Sequence, residues 1–154
     1  AIHIALWEKG KLTVGSVALP TLGITFDADP APIVPPSTRE RPLLVTSRTR
    51  NPYCAVKVAN ALGCDVARLG SAGAKAMAVV RGEADIYLHT GGQYEWDSCA
   101  PVAVAAAYGL HVSRVDGSPL VYNQRDVYMP DLLICRKEHA PHVLALVQSS
   151  AEKN

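Results

Sequence analysis

The chain reads as an α/β layered sandwich, a mixed sheet flanked by helices, preceded by strands of a second and smaller sheet. Three observations lead there. From residue 43 onward, short apolar runs alternate with stretches of helical spacing. The apolar runs are bounded by Gly, Ser, Pro and charged residues, which punctuate strands and helices. The first residues, AIHIALWE, alternate in polarity, with Ile2, Ile4 and Leu6 on one side and His3, Ala5 and Trp7 on the other.

In chain order, residues 2–8 and 11–19 predict two strands joined by a turn at Lys9-Gly10, and 22–26 a third. Residues 27–42 hold five prolines and several charges, so they predict an irregular connection and a natural boundary. The organisation expected is thus strands over 1–26, a Pro-rich connection over 27–42 and an α/β domain over 43–154. LLVTS, 43–47, is a buried strand running into a polar loop. Asn51-Pro52 is a helix start, with the helix reaching Leu62 and Gly63 ending it. Residues 64–70 form a strand. Residues 71–81 form a helix, because Ala74, Met77 and Ala78 share a face, Arg81 suits its last turn and Gly82 follows. A strand over 84–89 precedes GGQYE, read as a loop, and a helix from Asp97 to Tyr108 stopped by Gly109. Strands follow at 111–115, 120–123 and 131–135, with a turn at 116–119, and an amphipathic helix over 137–150 closes the order β-α-β-α-β-α-β-β-β-α.

Composition narrows the function. The 154 residues are 49% hydrophobic and 19% charged, with a formal net charge of +1, as in an ordinary globular domain. No basic stripe invites nucleic acid, and no apolar run is long enough to span a bilayer. Cys54, Cys64, Cys99 and Cys135 form no C-x-x-C pair, so reduced, partly buried thiols are expected, which fits the cytoplasm. A chain that begins in mid-strand without Met reads as a fragment.

Three stretches could carry chemistry. Asp97, at a helix start, is either a cap or a ligand for a cation facing a bound phosphate. One carboxylate cannot build a Mg2+ site, which wants several oxygens. In LGSAGAK, 69–75, a strand ends in Gly70-Ser71-Ala72 and a helix opens with Lys75 one turn in. That suits an anion or a simple cap, and it lacks the spacing of a Walker A loop. VTSRTRN, 45–51, presents Ser47, Arg48 and Arg50 after a buried strand, either as ligand contacts or as a solvated loop. His89, a lone histidine at a strand end, reads on its own as a surface residue. Asp27 and Asp29 lie in the Pro-rich connection and lack the glycine of a metal loop, and no Ser-His-Asp or Cys-His set stands out.

GSAGAKAMAVVRGEADIYLH followed by GGQYEWDSCAP resembles the C-terminal half of the Mg2+-dependent, lithium-sensitive phosphatases, the family of inositol monophosphatases and 3′(2′),5′-bisphosphate nucleotidases. Gly70, Ser71, Ala72, Gly82, Ala84, Asp85, Tyr87, Trp96 and Asp97 match its pattern, and VSRVDGSPLVYN matches a sheet hairpin downstream. Lys75 and the run Trp96-Asp97-Ser98-Cys99-Ala100-Pro101 resemble the nucleotidase branch, above all the bacterial enzymes of sulfur assimilation.

The resemblance implies removal of the 3′-phosphate of adenosine 3′,5′-bisphosphate, with Mg2+ as cofactor and a small phosphorylated metabolite as partner. It implies Asp97 as a metal ligand. Gly70, Ser71, Ala72 and Lys75 would contact phosphate or ribose, and Ser47, Arg48 and Arg50 would frame the nucleotide. His89 falls where relatives carry an arginine near the base, and Asp85 is structural. The family's other metal ligands lie in a Glu-bearing segment and an Asp-Pro-x-Asp-Gly-Thr motif, both absent here. The first strands then belong to a sheet that is incomplete in this chain, which is expected to be nearly inactive without its N-terminal segment and to expose apolar strand faces. Inositol or fructose-1,6-bisphosphate hydrolysis and a non-catalytic nucleotide-binding module stay open, as does a homodimer.

Overall fold

The computed structural model describes residues 1–49 and 53–151, so Arg50 and the helix start at Asn51-Pro52 lie outside the described residues. Strands β1 (Ile2–Glu8), β2 (Lys11–Leu19) and β3 (Ile24–Asp27) form an antiparallel sheet in that order. The five remaining strands form a mixed sheet in the order β5-β4-β6-β8-β7. They are β4 (Leu43–Ser47), β5 (Asp65–Leu69), β6 (Ile86–Tyr94), β7 (His111–Ser113) and β8 (Tyr128–Cys135). β4 runs parallel to β5 and to β6, while β8 is antiparallel to both β6 and β7.

Alternation along these strands divides the core. Val45, Tyr87, Leu132 and Ile134 face α2 (Ala72–Val80) and α3 (Glu95–Ala107). Leu44, Ile86, Leu88, Leu133 and Cys135 face α1 (Tyr53–Leu62) and α4 (Ala140–Ala151). α3 also packs on β2, so the layers run from the small sheet through α2 and α3 to the mixed sheet and then to α1 and α4. Gly15 permits the close approach of β2, since a Cβ there would strike Ala103 and lie 3.3 Å from the Ala100 carbonyl oxygen.

Residues 28–42 contain neither helix nor strand, yet they are fastened to the mixed sheet. Val34 is buried and donates its N–H to the Tyr108 carbonyl at 3.2 Å. Arg136 donates to the Pro35 carbonyl at 2.6 Å and to Asp85 at 2.9 Å. Asp85, fully buried, also accepts the Leu43 N–H at 2.8 Å and so tethers the start of β4. Asp85 has the structural part expected of it. Among the described residues, no helix is long and apolar enough to cross a membrane.

Several elements differ from expectation, and β8 begins at Tyr128 instead of Asp131. Pro20–Leu22 is a short 3-10 turn ended by Gly23 at φ 64°, so the third strand begins only at Ile24. Residues 120–123 are not a strand, because the buried Tyr122 anchors to Ser98 on α3 through hydroxyls 3.1 Å apart instead of joining the sheet. β7 stops at Ser113, where Arg114 turns away to make a two-pronged ion pair with Asp131 at 2.6 and 2.7 Å. The Gly91-Gly92-Gln93-Tyr94 stretch is strand, not loop: β6 continues through a register irregularity between Thr90 and Gln93 and runs directly into α3.

Candidate functional site

β4 is flanked by β5 on one side and β6 on the other, and the chain crosses over it between the two. α1 and α2 leave on opposite faces of the sheet, which opens a crevice at the carboxyl ends of β4 and β5. A cleft of about 230 Å³ lies there. Ser47, Gly70, Ser71, Ala72, Lys75, His89 and Asp97, seven of the nine residues singled out from the sequence, line it together. A larger cavity of about 350 Å³ lies between β1 and α3, lined by Trp7, Trp96 and Tyr122, and contains none of the seven.

The backbone of Ser71 has φ 57° and ψ 122°, an uncommon conformation for a residue with a side chain. It aims the first turn of α2 at the cleft, and the Ser71 hydroxyl accepts the Ala74 N–H at 3.3 Å as a helix cap. Lys75 is 4% exposed. Its Nζ donates to the Ser71 carbonyl at 3.0 Å and sits 5.3 Å from the centre of the Tyr87 ring. Burial lowers the Lys75 pKa to about 8, against which the charge of Asp97 pulls upward. The N-terminal turn of α2 and a desolvated ammonium in one recess form an anion seat.

Asp97 is the third residue of α3, and its Oδ2 accepts the Tyr94 N–H at 2.9 Å. It therefore caps the helix and also lines the cleft, so the two readings of this residue are compatible. Its other oxygen accepts no hydrogen bond from any described residue and is available to a ligand. Ser47, at the end of β4, is buried and receives the Thr49 N–H at 3.3 Å. Arg48 is exposed beside the cleft rather than lining it, and its guanidinium lies over Gly70, where a Cβ would be 3.0 Å from Nη2. The surface reading of His89 is corrected: it is buried, with Nε2 3.0 Å from the Gly92 carbonyl, because it faces inward from β6.

The lining also includes Thr49, Tyr87, Gly92 and Gln93, which the sequence reading did not single out as site residues. Tyr87 shares a strand face with His89, so alternation could have found it. Gln93 has the same parity, but it lies in the stretch expected to be a loop, past the irregularity that follows Thr90. Gly92 has φ 83°, and a Cβ there would collide with the Tyr128 hydroxyl, so glycine alone fits.

The described residues do not by themselves compose a Mg2+ site. No group of three or more His, Cys, Asp or Glu among them stands close enough to hold an ion, and Asp97 is the one described carboxylate lining the cleft.

A model of the inositol monophosphatase family matches residues 1–152. A 3′-phosphoadenosine 5′-phosphate phosphatase of Mycobacterium bovis is 46% identical over 160 residues, covering 96% of this chain and 58% of that protein. Among solved structures, an inositol monophosphatase of Anabaena superposes with a TM-score of 0.77 at 22% identity, over 96% of this chain and 63% of that one. An inositol monophosphatase and NADP phosphatase, complexed with Mg2+ and phosphate, superposes with a TM-score of 0.76 at 19% identity, over 94% of this chain and 57% of that one. The chain thus spans under two thirds of the length of each of these proteins, and with the family pattern running through its whole described fold, it belongs to the inositol monophosphatase family.

Proposed function

We propose that this chain forms the phosphate-binding half of a phosphomonoesterase that removes the 3′-phosphate of adenosine 3′,5′-bisphosphate. The observation that carries the reading is the convergence of the α2 N-terminus, Lys75 and Asp97 on one cleft. The activity named for the 46%-identical mycobacterial relative supports the nucleotide substrate. Lys75 and the first turn of α2 neutralise the phosphoryl oxygens, and Ser71 holds that turn open toward them. Ser47 and Thr49 form the wall after β4, with Arg48 framing the nucleotide, while His89 stiffens β6 behind it. Asp97 offers one carboxylate oxygen to a Mg2+ ion whose remaining ligands come from outside these 154 residues, so the chain alone binds substrate without turning it over.

Calorimetry with adenosine 3′,5′-bisphosphate, paired with a phosphate-release assay in Mg2+, tests this. The expected outcome is binding that weakens about tenfold in Lys75→Met, as loss of a charge-assisted contact should cost, with no release of phosphate. Robust turnover by the isolated chain would refute its dependence on outside ligands. Absence of nucleotide binding would refute the site.

A further inference from the structure

Gln93 is 5% exposed and lines the cleft, yet among the described residues neither its Oε1 nor its Nε2 has a hydrogen-bond partner. Buried carboxamides are almost always paired, and one with both ends orphaned in a ligand-sized recess marks a place where a ligand completes the pairing. The Tyr87 hydroxyl, on the same strand and in the same cleft, is likewise buried without a partner. Burial holds that phenol well above its ordinary pKa, so it remains a neutral hydroxyl.

From this we infer that Gln93 is a specificity residue that reads a ribose hydroxyl of the substrate. The inference rests on reading the cleft as a nucleotide phosphate site and extends it. A carboxamide offers donors on nitrogen and an acceptor on oxygen. A phosphate oxygen could satisfy only the nitrogen and would leave Oε1 unmet. A hydroxyl both gives and accepts, so it can answer both ends. Gln93 is neutral, whereas the cationic seat for phosphate lies at Lys75 and α2. The two chemistries sort the ligand: its anionic end to Lys75, its hydroxylated neutral end to Gln93. Gln93 lies just past the register irregularity between Thr90 and Gln93 and lines the same cleft as Tyr87 and His89.

The test is a binding experiment on the chain itself. The side-chain NH2 resonances of Gln93, assigned by their loss in Gln93→Leu, are followed by NMR together with the amides of Gly70, Ser71 and Ala72. Adenosine 3′,5′-bisphosphate is expected to shift both sets, and inorganic phosphate only the second. Gln93→Leu, of similar volume, is expected to lower affinity for adenosine 3′,5′-bisphosphate about tenfold, as loss of a paired buried polar contact should. It should leave phosphate affinity unchanged and erase the preference for that nucleotide over its 2′-deoxy analogue. Gln93→Glu, which keeps the shape and the acceptor, separates lost recognition from misfolding: it should fold like the parent and bind the nucleotide more weakly. If the nucleotide shifts Gly70–Ala72 while the Gln93 resonances stay still, and Gln93→Leu binds it as the parent does, the inference is overturned and the phosphate site survives. If no probe shifts Gly70–Ala72, the phosphate site falls and the inference with it.

Discussion

Lys75 and Asp97 carry the sharpest expectations at the level of single side chains. Burial holds Lys75 near pKa 8, so the free protein sheds that charge as the pH climbs through this value. Inorganic phosphate is almost wholly dianionic above about pH 8, so its affinity should fall from there to about pH 9.5 as Lys75 loses its charge, and Lys75→Arg, which keeps its charge, should flatten the profile. A titration followed by calorimetry reads both. The sign for stability is the reverse: a buried ammonium with a lowered pKa is a cost at pH 7, and that cost fades as the pH rises from about 8 toward the ordinary 10.5. Asp97 separates its two roles by substitution. An asparagine side chain keeps an oxygen for the Tyr94 N–H, so Asp97→Asn should leave thermal stability nearly intact, while in a longer protein that supplies the other ligands it should weaken Mg2+ binding and lower kcat. Asp97→Ala should also lose about 1 kcal/mol of stability. If both variants leave Mg2+ binding and turnover of that longer protein unchanged, Asp97 is a cap alone. Both readings were open in the sequence because an acid after a Trp at a helix start suits either. Nothing in the sequence could choose between them, since the geometry accommodates both at once.

Strands and helices explain where reading the sequence worked and where it did not. β4 and β6 were legible because β-branched and apolar residues crowd both faces of a buried parallel strand. The extension of β6 was hidden by Gly91 and Gly92, which signal a turn, and both do adopt positive φ, but within a strand irregularity. That is also why Gln93 escaped notice. Residues 120–123 misled in the opposite direction: Leu120-Val121-Tyr122 is a short β-prone apolar run, yet the bond from Tyr122 to Ser98 draws the segment onto α3. The Pro-rich connection is held by Asp85 and Arg136 more firmly than its composition suggests. Asp85→Ala would leave the buried Arg136 guanidinium without its carboxylate and the Leu43 N–H without its acceptor, at a cost of about 3 kcal/mol. Chemical denaturation measures this, and a loss under about 1 kcal/mol would mean that the Pro35 carbonyl suffices for Arg136.

For the molecule as a whole, the small sheet sets the behaviour in solution. Its face away from α3 exposes Ile2, Ile4 and Leu6 from β1, with Val14 opposite Leu6, and Ile4 is 64% exposed. Such a patch is a site of association. In sedimentation velocity this chain should form assemblies larger than a monomer, and the double variant Ile4→Thr, Leu6→Thr should return it to the monomer. A parent that sediments as a monomer at every concentration would contradict this. The alternation of β1 made these side chains legible, and their exposure follows because α3 covers only the opposite face of the sheet. Because β6 passes into α3 with no slack between them, a guest resting on Gln93 and Asp97 would damp the motion of a central strand and of the helix that bridges two layers. Occupancy of a shallow recess would then be felt as far away as the small sheet.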